Sequence, residues 1–468
     1  MSLSSSVENL LKKQQIPFAN AVVPLSDTNS SRWHDEYLRS MSAAKSIILQ
    51  DAQGKVQVIL PADRLLDLKR INQYLGRELH AVSPDEIAKF LKDHKLASIP
   101  ALPKLEGWQT LVDKSVLEQK TLWADSGSDD ELLKFSQEEF AKILEDAKVA
   151  DFALPLAPLE IDENATSDTD HILNAIKNFT KLRIKQRLEE TLELPPLSDT
   201  AQKIIKLRVN PNADISDLAQ IVETDPSLAA QVVSWAASPY YSAPGKIKSI
   251  HDAIVRVLGF DMVLNLALGL SLGKQMTIPK AGPRGVMPYW QQSVYMAATI
   301  EGLVTAIPRD HRPSFGMAYL CGLLHNFGYL ILAEVFPPYF HAYCELADAN
   351  PHVEHPAIER HLIGVTREQL ASTLMSLWSM PEEIVVGLRQ QNNPQYKGEY
   401  QSYAKLIYVA QRLLAQHNLG SGPKQSIPAE IFADLHLDPE KANTTVANII
   451  ESSKDLAHIA QQLSPHHH

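Results

Sequence analysis

The first 155 residues alternate short apolar runs with turn residues and capped helix starts, which is the pattern of an α/β domain. Strands are predicted at 21–23, 42–49, 55–60, 110–113 and 121–124. Gly54 can take the positive φ that a hairpin turn needs, so the second and third strands are expected to pair. A helix is expected to begin within the charged stretch 62–69, and Ser83 and Ser136 have the cap chemistry of further helix starts.

Apolar positions from residue 192 onward recur with helical spacing and are separated by turn residues. Ser216 is a candidate cap for one of these helices. Asp225 predicts its end, because it precedes Pro226 and the residue before proline avoids the α region. Successive apolar faces are carried by Leu218, Ile221 and Val222, by Leu228, Val232 and Trp235, and by Ile254, Val257 and Leu258. The C-terminal part is therefore predicted to be an all-helical bundle.

These patterns divide the chain into four segments. An α/β domain is assigned to 1–155, a linker with a connecting helix to 156–191, an all-helical domain to 192–415 and a C-terminal helical extension to 416–468. The connecting helix is predicted to begin at Thr169, and its basic residues form either a solvated face or a patch for an anionic partner. The extension is expected to lie outside the core of the bundle.

Composition narrows the class of protein. The net charge of −11 argues against nucleic-acid binding through overall charge, and no DNA partner is expected. Cys321 and Cys344 provide neither a disulfide framework nor zinc spacing, which indicates a reducing compartment. The most apolar run, 262–273, is too short to span a membrane, and the first residues lack the layout of a signal peptide. A cytoplasmic protein without a membrane partner is expected, and the terminal histidines 466–468 are given no role.

Several motifs follow one another between residues 192 and 414. In chain order they are Leu194-Pro195-Pro196-Leu197, Asp225-Pro226-Ser227-Leu228, Ser238-Pro239-Tyr240-Tyr241, Ile250-His251-Asp252-Ala253-Ile254 and Val257-Leu258-Gly259-Phe260. This segment resembles the HDOD domain, an all-helical relative of HD-type phosphohydrolases found in bacterial signalling proteins. The resemblance implies an HD-related helical bundle with a role in signal transduction.

An HD phosphohydrolase holds its metals with histidines and aspartates that converge from separate helices. At the matching positions the chain has Gln292, His325, Asn326, Arg367, Gln391 and Asn392, which are called the vestigial HD positions below. Only the histidine survives, and amides and an arginine supply too few anionic ligands for a divalent cation. The domain is therefore predicted to hold no metal or other cofactor and to have lost hydrolysis, with His325 as a buried structural imidazole. Four further histidines lack ligand spacing and are expected to be solvated or to cap helices: His341, His352, His355 and His361.

The N-terminal domain resembles the YbaK/EbsC family of aminoacyl-tRNA deacylases. The matching landmarks are Ala44-Lys45 on a strand, the helix 66–75, the loop 100–107, Val112-Asp113 and Ser126-Gly127-Ser128. The fold implied is a mixed β-sheet with helices. The resemblance makes Lys45 the candidate catalytic residue beside a pocket for an aminoacyl ester. Its candidate ligand-binding residues are Ser98, Pro100, Gly107, Asp113 and Gly127.

Two functions remain open. The first is signal transduction or regulation, with the helical domain as an interaction or ligand-responsive module and the N-terminal pocket binding an aminoacyl or nucleotide-like ligand. The second is an aminoacyl-tRNA editing hydrolase that works through Lys45. The intact lysine favours the enzyme. The loop 97–103 favours the binding protein, because it lacks the glycine expected before Pro100, and so does the net charge of −4 over residues 1–155 (19 Lys and Arg against 23 Asp and Glu). A protein partner is expected for the first function, and an aminoacyl-tRNA or small-molecule ligand for either.

Overall fold

A computed structural model describes residues 7, 19–22, 34–103, 105–128, 131–144, 147–156, 165–185, 196–243 and 245–463. The N-terminal part is a mixed sheet with helices and the C-terminal part is helical, as the sequence predicts. The terminal histidines 466–468 lie outside the described residues.

The strands of the N-terminal domain are β1 (Ala19–Val22), β2 (Ala44–Asp51), β3 (Gly54–Pro61), β4 (Arg64–Leu66), β5 (His80–Ala81), β6 (Gln109–Asp113), β7 (Thr121–Asp125), β8 (Glu131–Ser136), β9 (Lys148–Ala150) and β10 (Ala153–Pro155). The main sheet runs in the order β1-β8-β7-β2-β3-β6-β9, with β5 paired to β2. The hairpin β2–β3 is antiparallel around Gly54, whose φ is +125°, and it forms the centre of the sheet. The β2–β7, β3–β6 and β6–β9 pairs are parallel.

Side-chain caps set the helix starts of this domain. Its helices are α1 (His34–Ser40), α2 (Leu68–Leu75), α3 (Pro84–His94) and α4 (Gln137–Ile143). Ser83 and Ser136 accept hydrogen bonds from the third helical N–H, as predicted. The predicted helix start within 62–69 is confirmed at the end of that stretch, where α2 begins at Leu68. Residues 64–66 form β4 against β10, and Asp67 caps α2 only afterwards.

The connecting helix α5 (Ala165–Lys185) begins four residues before the predicted Thr169. Asp168 in its first turn is buried and accepts hydrogen bonds from Arg389 and from Gln369 Nε2, the latter at 2.6 Å. Because both partners belong to the helical domain, the first turn of the linker helix is fixed to that domain.

At the centre of the helical domain lie two consecutive apolar helices separated by a short break. The domain is built from short helices. In order they are α6 (Asp199–Arg208), α7 (Ile215–Glu223), α8 (Pro226–Ala236), α9 (Ile250–Ala253) followed by a π-helical turn (Ile254–Leu258), α10 (Phe260–Gly273), α11 (Tyr289–Ala306), α12 (Phe315–Leu324), α13 (Phe327–Val335), α14 (Pro337–Ala349), α15 (His355–Ile363), α16 (Arg367–Leu377), α17 (Glu382–Gln390), α18 (Gln401–Gln416), α19 (Ala429–Asp434), α20 (Pro439–Glu451) and α21 (Ser453–Leu463). The cap of α7 is not the predicted Ser216. Asp214 takes that role, because it and Asp217 form a reciprocal capping box.

The stretch Phe315–Val335 is long and apolar enough to cross a membrane, but 94% of its most apolar window is buried inside the protein. It forms α12 and α13, the interior pair of the bundle. The C-terminal helices α20 and α21 pack against α11, and Tyr295 of α11 donates to the Ser453 carbonyl at 3.0 Å. The extension is therefore part of the bundle, contrary to the expectation that it lies outside the core.

One hydrophobic cluster runs through both domains, from Val56 and Phe152 beneath the sheet to the helices of the bundle. Polar contacts reinforce this boundary. Asn350, which is 1% exposed, accepts from Leu66 N at 2.7 Å and donates to Leu66 O at 3.0 Å, as a neighbouring strand would. His352 contacts the Arg64 carbonyl at 2.9 Å. The two domains therefore share one hydrophobic core and are not connected by the linker alone.

Candidate functional site

The vestigial HD positions converge on one cavity of about 100 Å³, although they come from four places in the bundle. Gln292 lies on α11, and His325 and Asn326 lie at the break between α12 and α13. Arg367 opens α16, and Gln391 and Asn392 follow α17. The whole set lines the cavity.

The break between α12 and α13 is held against the start of α16 by a glycine contact. A Cβ on Gly328 would lie 1.9 Å from the Arg367 carbonyl oxygen, which is backbone and cannot swing away. Thr366 and Gln369 form a capping box that starts α16 at this point. Glycine at 328 therefore lets Arg367 enter the cavity at the level of Asn326.

Arg367 occupies the middle of the group with its guanidinium. It donates from Nε to Glu359 Oε1 at 2.5 Å, from Nη1 to Asn326 Oδ1 at 2.9 Å and from Nη2 to the Tyr343 hydroxyl at 2.6 Å. The Glu359 side chain is 0% exposed and also accepts from Arg367 N at 2.8 Å. Asn326, at the position where HD phosphohydrolases carry an aspartate, thus presents an amide. Its side-chain oxygen accepts a hydrogen bond from the cationic Arg367.

The electrostatics of the cavity keep the Arg367 guanidinium charged and the neighbouring His325 neutral. Burial alone would lower the pKa of the Arg367 guanidinium, but the adjoining Glu359 carboxylate raises it above its usual value. Burial lowers the pKa of His325 to about 4, and the positive charge of Arg367 acts in the same direction. His325 Nδ1 lies 2.8 Å from the Gly322 carbonyl oxygen. Among the residues that the structure describes, no three His, Cys, Asp or Glu side chains are grouped as metal ligands.

Amide groups complete the lining. Asn326 Nδ2 donates to Gln292 Oε1 at 3.1 Å, and Gln391 Nε2 donates to the His325 carbonyl at 3.0 Å. Gln411 Nε2 donates to Gln391 Oε1 at 2.9 Å. Asn392 donates to Glu368 Oε1 at 2.9 Å. These carboxamides offer donors and acceptors in equal number, which suits recognition of a polar molecule better than binding of a metal.

Two of the four additional histidines differ from the expectation of solvated or capping residues. His352 is buried and contacts the N-terminal domain. His355 lines the cavity, with Nδ1 2.7 Å from the Tyr343 hydroxyl, and burial lowers its pKa to about 3. The sequence showed no ligand spacing for them because their role is hydrogen bonding between elements.

In the N-terminal domain, three of the six candidates (Ser98, Pro100 and Gly127) lie around Asp125, a carboxylate that the sequence did not single out. Ala44 pairs with Ala124 in the parallel β2–β7 pair, so Lys45 and Asp125 lie side by side on the same face. Asp125 Oδ1 accepts from Ser98 Oγ at 2.6 Å and from Gly127 N at 2.9 Å. A Cβ on Gly127 would come within 2.7 Å of Pro100. The signal for Asp125 in the sequence was its position two residues before a glycine, which is typical of an Asx turn.

Gly107 and Asp113 are not part of this group. Gly107 is exposed in a short turn. Asp113 lies on β6, with β3 between it and the strand of Lys45. Its Oδ2 accepts from Phe152 N at 2.8 Å and from Ala153 N at 2.7 Å, and its Oδ1 accepts from Ser115 N at 2.9 Å. Because its acceptor sites are used in the fold, Asp113 is a structural residue here.

Comparison with known proteins identifies both parts. The model of the HDOD domain matches residues 194–394, and that of the aminoacyl-tRNA editing domain matches residues 37–143. The crystal structure of a "putative signal transduction protein" from Marinobacter aquaeolei VT8 is 40% identical, with 99% of this chain and 100% of that chain covered and a TM-score of 0.87. The chain belongs to this family of HDOD proteins with an N-terminal editing-type domain.

Two more distant relatives cover part of the HDOD protein. An HDOD domain protein from Geobacter sulfurreducens is 20% identical, with 62% of this chain and 99% of that chain covered and a TM-score of 0.49. An uncharacterized protein of Treponema pallidum (strain Nichols) is 22% identical over 274 residues, or 58% of this chain. The match covers 51% of that relative, so the chain spans about half its length. The domain pair and the Marinobacter relative fit a regulatory role.

Proposed function

We propose that this HDOD protein is a regulatory protein whose helical domain has lost phosphohydrolase activity. The observation that carries the proposal is the Arg367 guanidinium, bonded to Asn326 and Glu359 amid the vestigial HD positions. A divalent cation brought to the same place would meet this positive charge and an amide instead of a carboxylate. The domain would then act on a protein partner, as an interaction or ligand-responsive module in the cytoplasm.

Metal content and hydrolysis test the loss of activity. The purified full-length protein, incubated with Mn²⁺ and desalted, is expected to retain far less than one metal per chain and not to hydrolyse bis-p-nitrophenyl phosphate. Stoichiometric metal together with turnover that His325→Ala abolishes would overturn the proposal.

A matched pair of variants tests whether Arg367 is the obstacle. Asn326→Asp alone is expected to gain no Mn²⁺ affinity, because the new carboxylate would pair with Arg367. Asn326→Asp combined with Arg367→His and Gln292→His removes the cation and adds ligands, and it is expected to bind Mn²⁺. Equal Mn²⁺ binding by the single and the triple variant would contradict the role given to Arg367.

The N-terminal pocket is proposed to bind an aminoacyl or nucleotide-like ligand. The strand register sets Lys45 next to Asp125, and Asp125 accepts a hydrogen bond from the Ser98 hydroxyl. An ammonium group there would bind ester carbonyl, ribose or phosphate oxygens of the ligand.

An aminoacyl-tRNA editing hydrolase is the second candidate, and the grouping of Lys45, Asp125 and Ser98 favours it. In that reaction water adds to the ester carbonyl, Lys45 stabilises the negative charge that develops on the carbonyl oxygen, and the bond to the tRNA ribose oxygen breaks. Free amino acid and tRNA with its hydroxyl restored are the products.

Deacylation of a panel of mischarged tRNAs separates binding from editing. The wild type, Lys45→Ala and Lys55→Ala are compared. Lys55 is a control on the neighbouring strand, where it pairs with Glu86 at 3.4 Å. Turnover that only Lys45→Ala loses would establish the hydrolase. No turnover by the wild type, with ligand binding that Lys45→Ala weakens, is the outcome expected for the regulatory protein.

A further inference from the structure

Arg412 on α18 is a buried cation whose charge the described protein does not neutralise directly. Two arginines are buried in the described part of the chain, Arg367 and Arg412, the latter 8% exposed. Arg367 pairs with Glu359, whereas Arg412 forms no ion pair with any described residue. Burying a charge without a counter-charge is costly, so an isolated guanidinium inside a fold needs an explanation.

The contacts of Arg412 are all to neutral groups. Nη2 donates to Gln425 Oε1 at 2.8 Å and Nη1 to the Tyr408 carbonyl at 3.4 Å, while the guanidinium lies 3.3 Å from the centre of the Tyr408 ring. Its Nε finds no acceptor among the described residues. A guanidinium carries five N–H donors, so most of its capacity is unused.

The nearest carboxylate in this network is already shared. Gln425, which accepts from Arg412, donates through its Nε2 to Glu354 Oε1. The same Glu354 oxygen also accepts from Arg39 Nη1 of the N-terminal domain at 3.2 Å. Glu354 therefore serves the domain boundary and reaches Arg412 only through an amide.

Arg412 and the vestigial HD positions line the same cavity. Six carboxamide side chains line it too: Gln292, Asn326, Gln391, Asn392, Gln411 and Gln425. Two carboxylates line it as well, Glu354 and the buried Glu368. The lining thus offers one cation without an ion pair, one cation already paired with Glu359, two carboxylates, and many neutral donors and acceptors.

We propose that this cavity binds a small metabolite that presents an oxyanion to Arg412 and N–H or O–H donors to Glu368 and the carboxamides. A phosphate ester with hydroxyl groups and a zwitterionic amino acid both have this chemistry. The inference rests on the proposed ligand-responsive role of the HDOD domain and gives that role a ligand class and a residue that receives it.

Calorimetric titration of the full-length protein tests the site with four probes: inorganic phosphate, a 5′-nucleoside monophosphate, glycine and glycinamide. Binding of the phosphate probes alone would assign a phosphorylated ligand, and binding of glycine without glycinamide would assign a free amino acid. Arg412→Gln is expected to weaken the bound probe at least about tenfold, since it removes a charge-assisted hydrogen bond. Arg412→Lys is expected to retain part of the affinity.

Arg389→Gln is the matched control, because Arg389 pairs with Asp168, lies in the same domain and does not line the cavity. It is expected to leave probe affinity unchanged. Thermal unfolding without a probe adds a second readout, in which Arg412→Gln is expected to be at least as stable as the wild type. No binding by any probe, or binding that Arg412→Gln leaves unchanged, overturns the inference. The two proposals fail separately. If the protein binds no probe and no metal and hydrolyses nothing, only the cavity inference falls and the regulatory proposal stands. If it binds metal and turns over substrate, the regulatory proposal is refuted.

Discussion

Replacing Arg367 by methionine is expected to destabilise the helical domain strongly. The substitution keeps much of the aliphatic bulk but removes the charge that faces Glu359, whose side chain is 0% exposed. Breaking a buried ion pair by removing one partner costs about 3–5 kcal/mol, because the remaining charge stays buried without compensation. The Asn326 carbonyl and the Tyr343 hydroxyl lose a donor as well.

The size of the effect can be read as a melting temperature. For a domain of roughly 200 residues, 1 kcal/mol shifts the Tm by about 2–4 °C, so a decrease of about 6–20 °C is expected. Thermal unfolding followed by circular dichroism at 222 nm would measure it, since the bundle supplies most of the helical signal.

A double variant separates the ion pair from general damage. Arg367→Met with Glu359→Gln leaves a neutral pair, and the Gln amide oxygen can still accept from the backbone N–H at position 367. Most of the lost Tm is therefore expected to return. An Arg367→Met Tm within about 2 °C of the wild type, or a double variant no more stable than the single one, would refute the reasoning.

Three further predictions concern pH, the domain boundary and the glycine contact. The pKa of buried His325 falls from 6.5 to about 4 on folding, so the unfolded chain binds the extra proton as pH drops. The contribution of His325 to stability is therefore present above pH 6.5 and is lost towards pH 4, by up to about 3 kcal/mol. His325→Gln should flatten that part of a plot of Tm against pH. An unchanged slope would contradict the assignment. Asn350→Ala leaves the Leu66 N–H and carbonyl buried without their partner, at about 1–3 kcal/mol for each group. It should speed proteolysis at the domain boundary, whereas Asn443→Ala at an exposed helical position should not. Gly328→Ala should prevent correct packing, because its Cβ would lie 1.9 Å from the Arg367 carbonyl oxygen. Gly364→Ala is the control: this glycine has a φ of +80° and no neighbour within 4 Å, so the change should cost only about 1 kcal/mol. Equal losses of Tm in the two variants would refute the role of the Gly328 contact.

The sequence predicted most elements because their signals are local. The caps at Ser83 and Ser136, the turn at Gly54 and the Asp225-Pro226 boundary each depend on neighbouring residues, and the structure has all four. The missed β4 strand depends on pairing with β10, which lies some ninety residues away along the chain. Local signals cannot carry that information.

The site was predicted as far as residue type and motif position extend. The residue types at the HD positions predicted a poor metal site, and their motif positions brought them to one cavity. The ion pair of Arg367 with Glu359 and the lone charge of Arg412 were not predictable, because each depends on which side chains several separate helices bring near. The hydrogen bonds of Asp113 to Phe152 N and Ala153 N were not predictable for the same reason.

The sequence by itself determined the two domain types and their order, since those follow from residue identity and periodicity. Only the tertiary structure decided that the two domains share one hydrophobic core, that the C-terminal helices belong to the bundle and that Arg367 lies amid the vestigial HD positions. The physical reason is the range of the forces involved. Caps and turns act over a few residues, whereas burial, ion pairing and the sharing of a core depend on distances that only the folded chain sets.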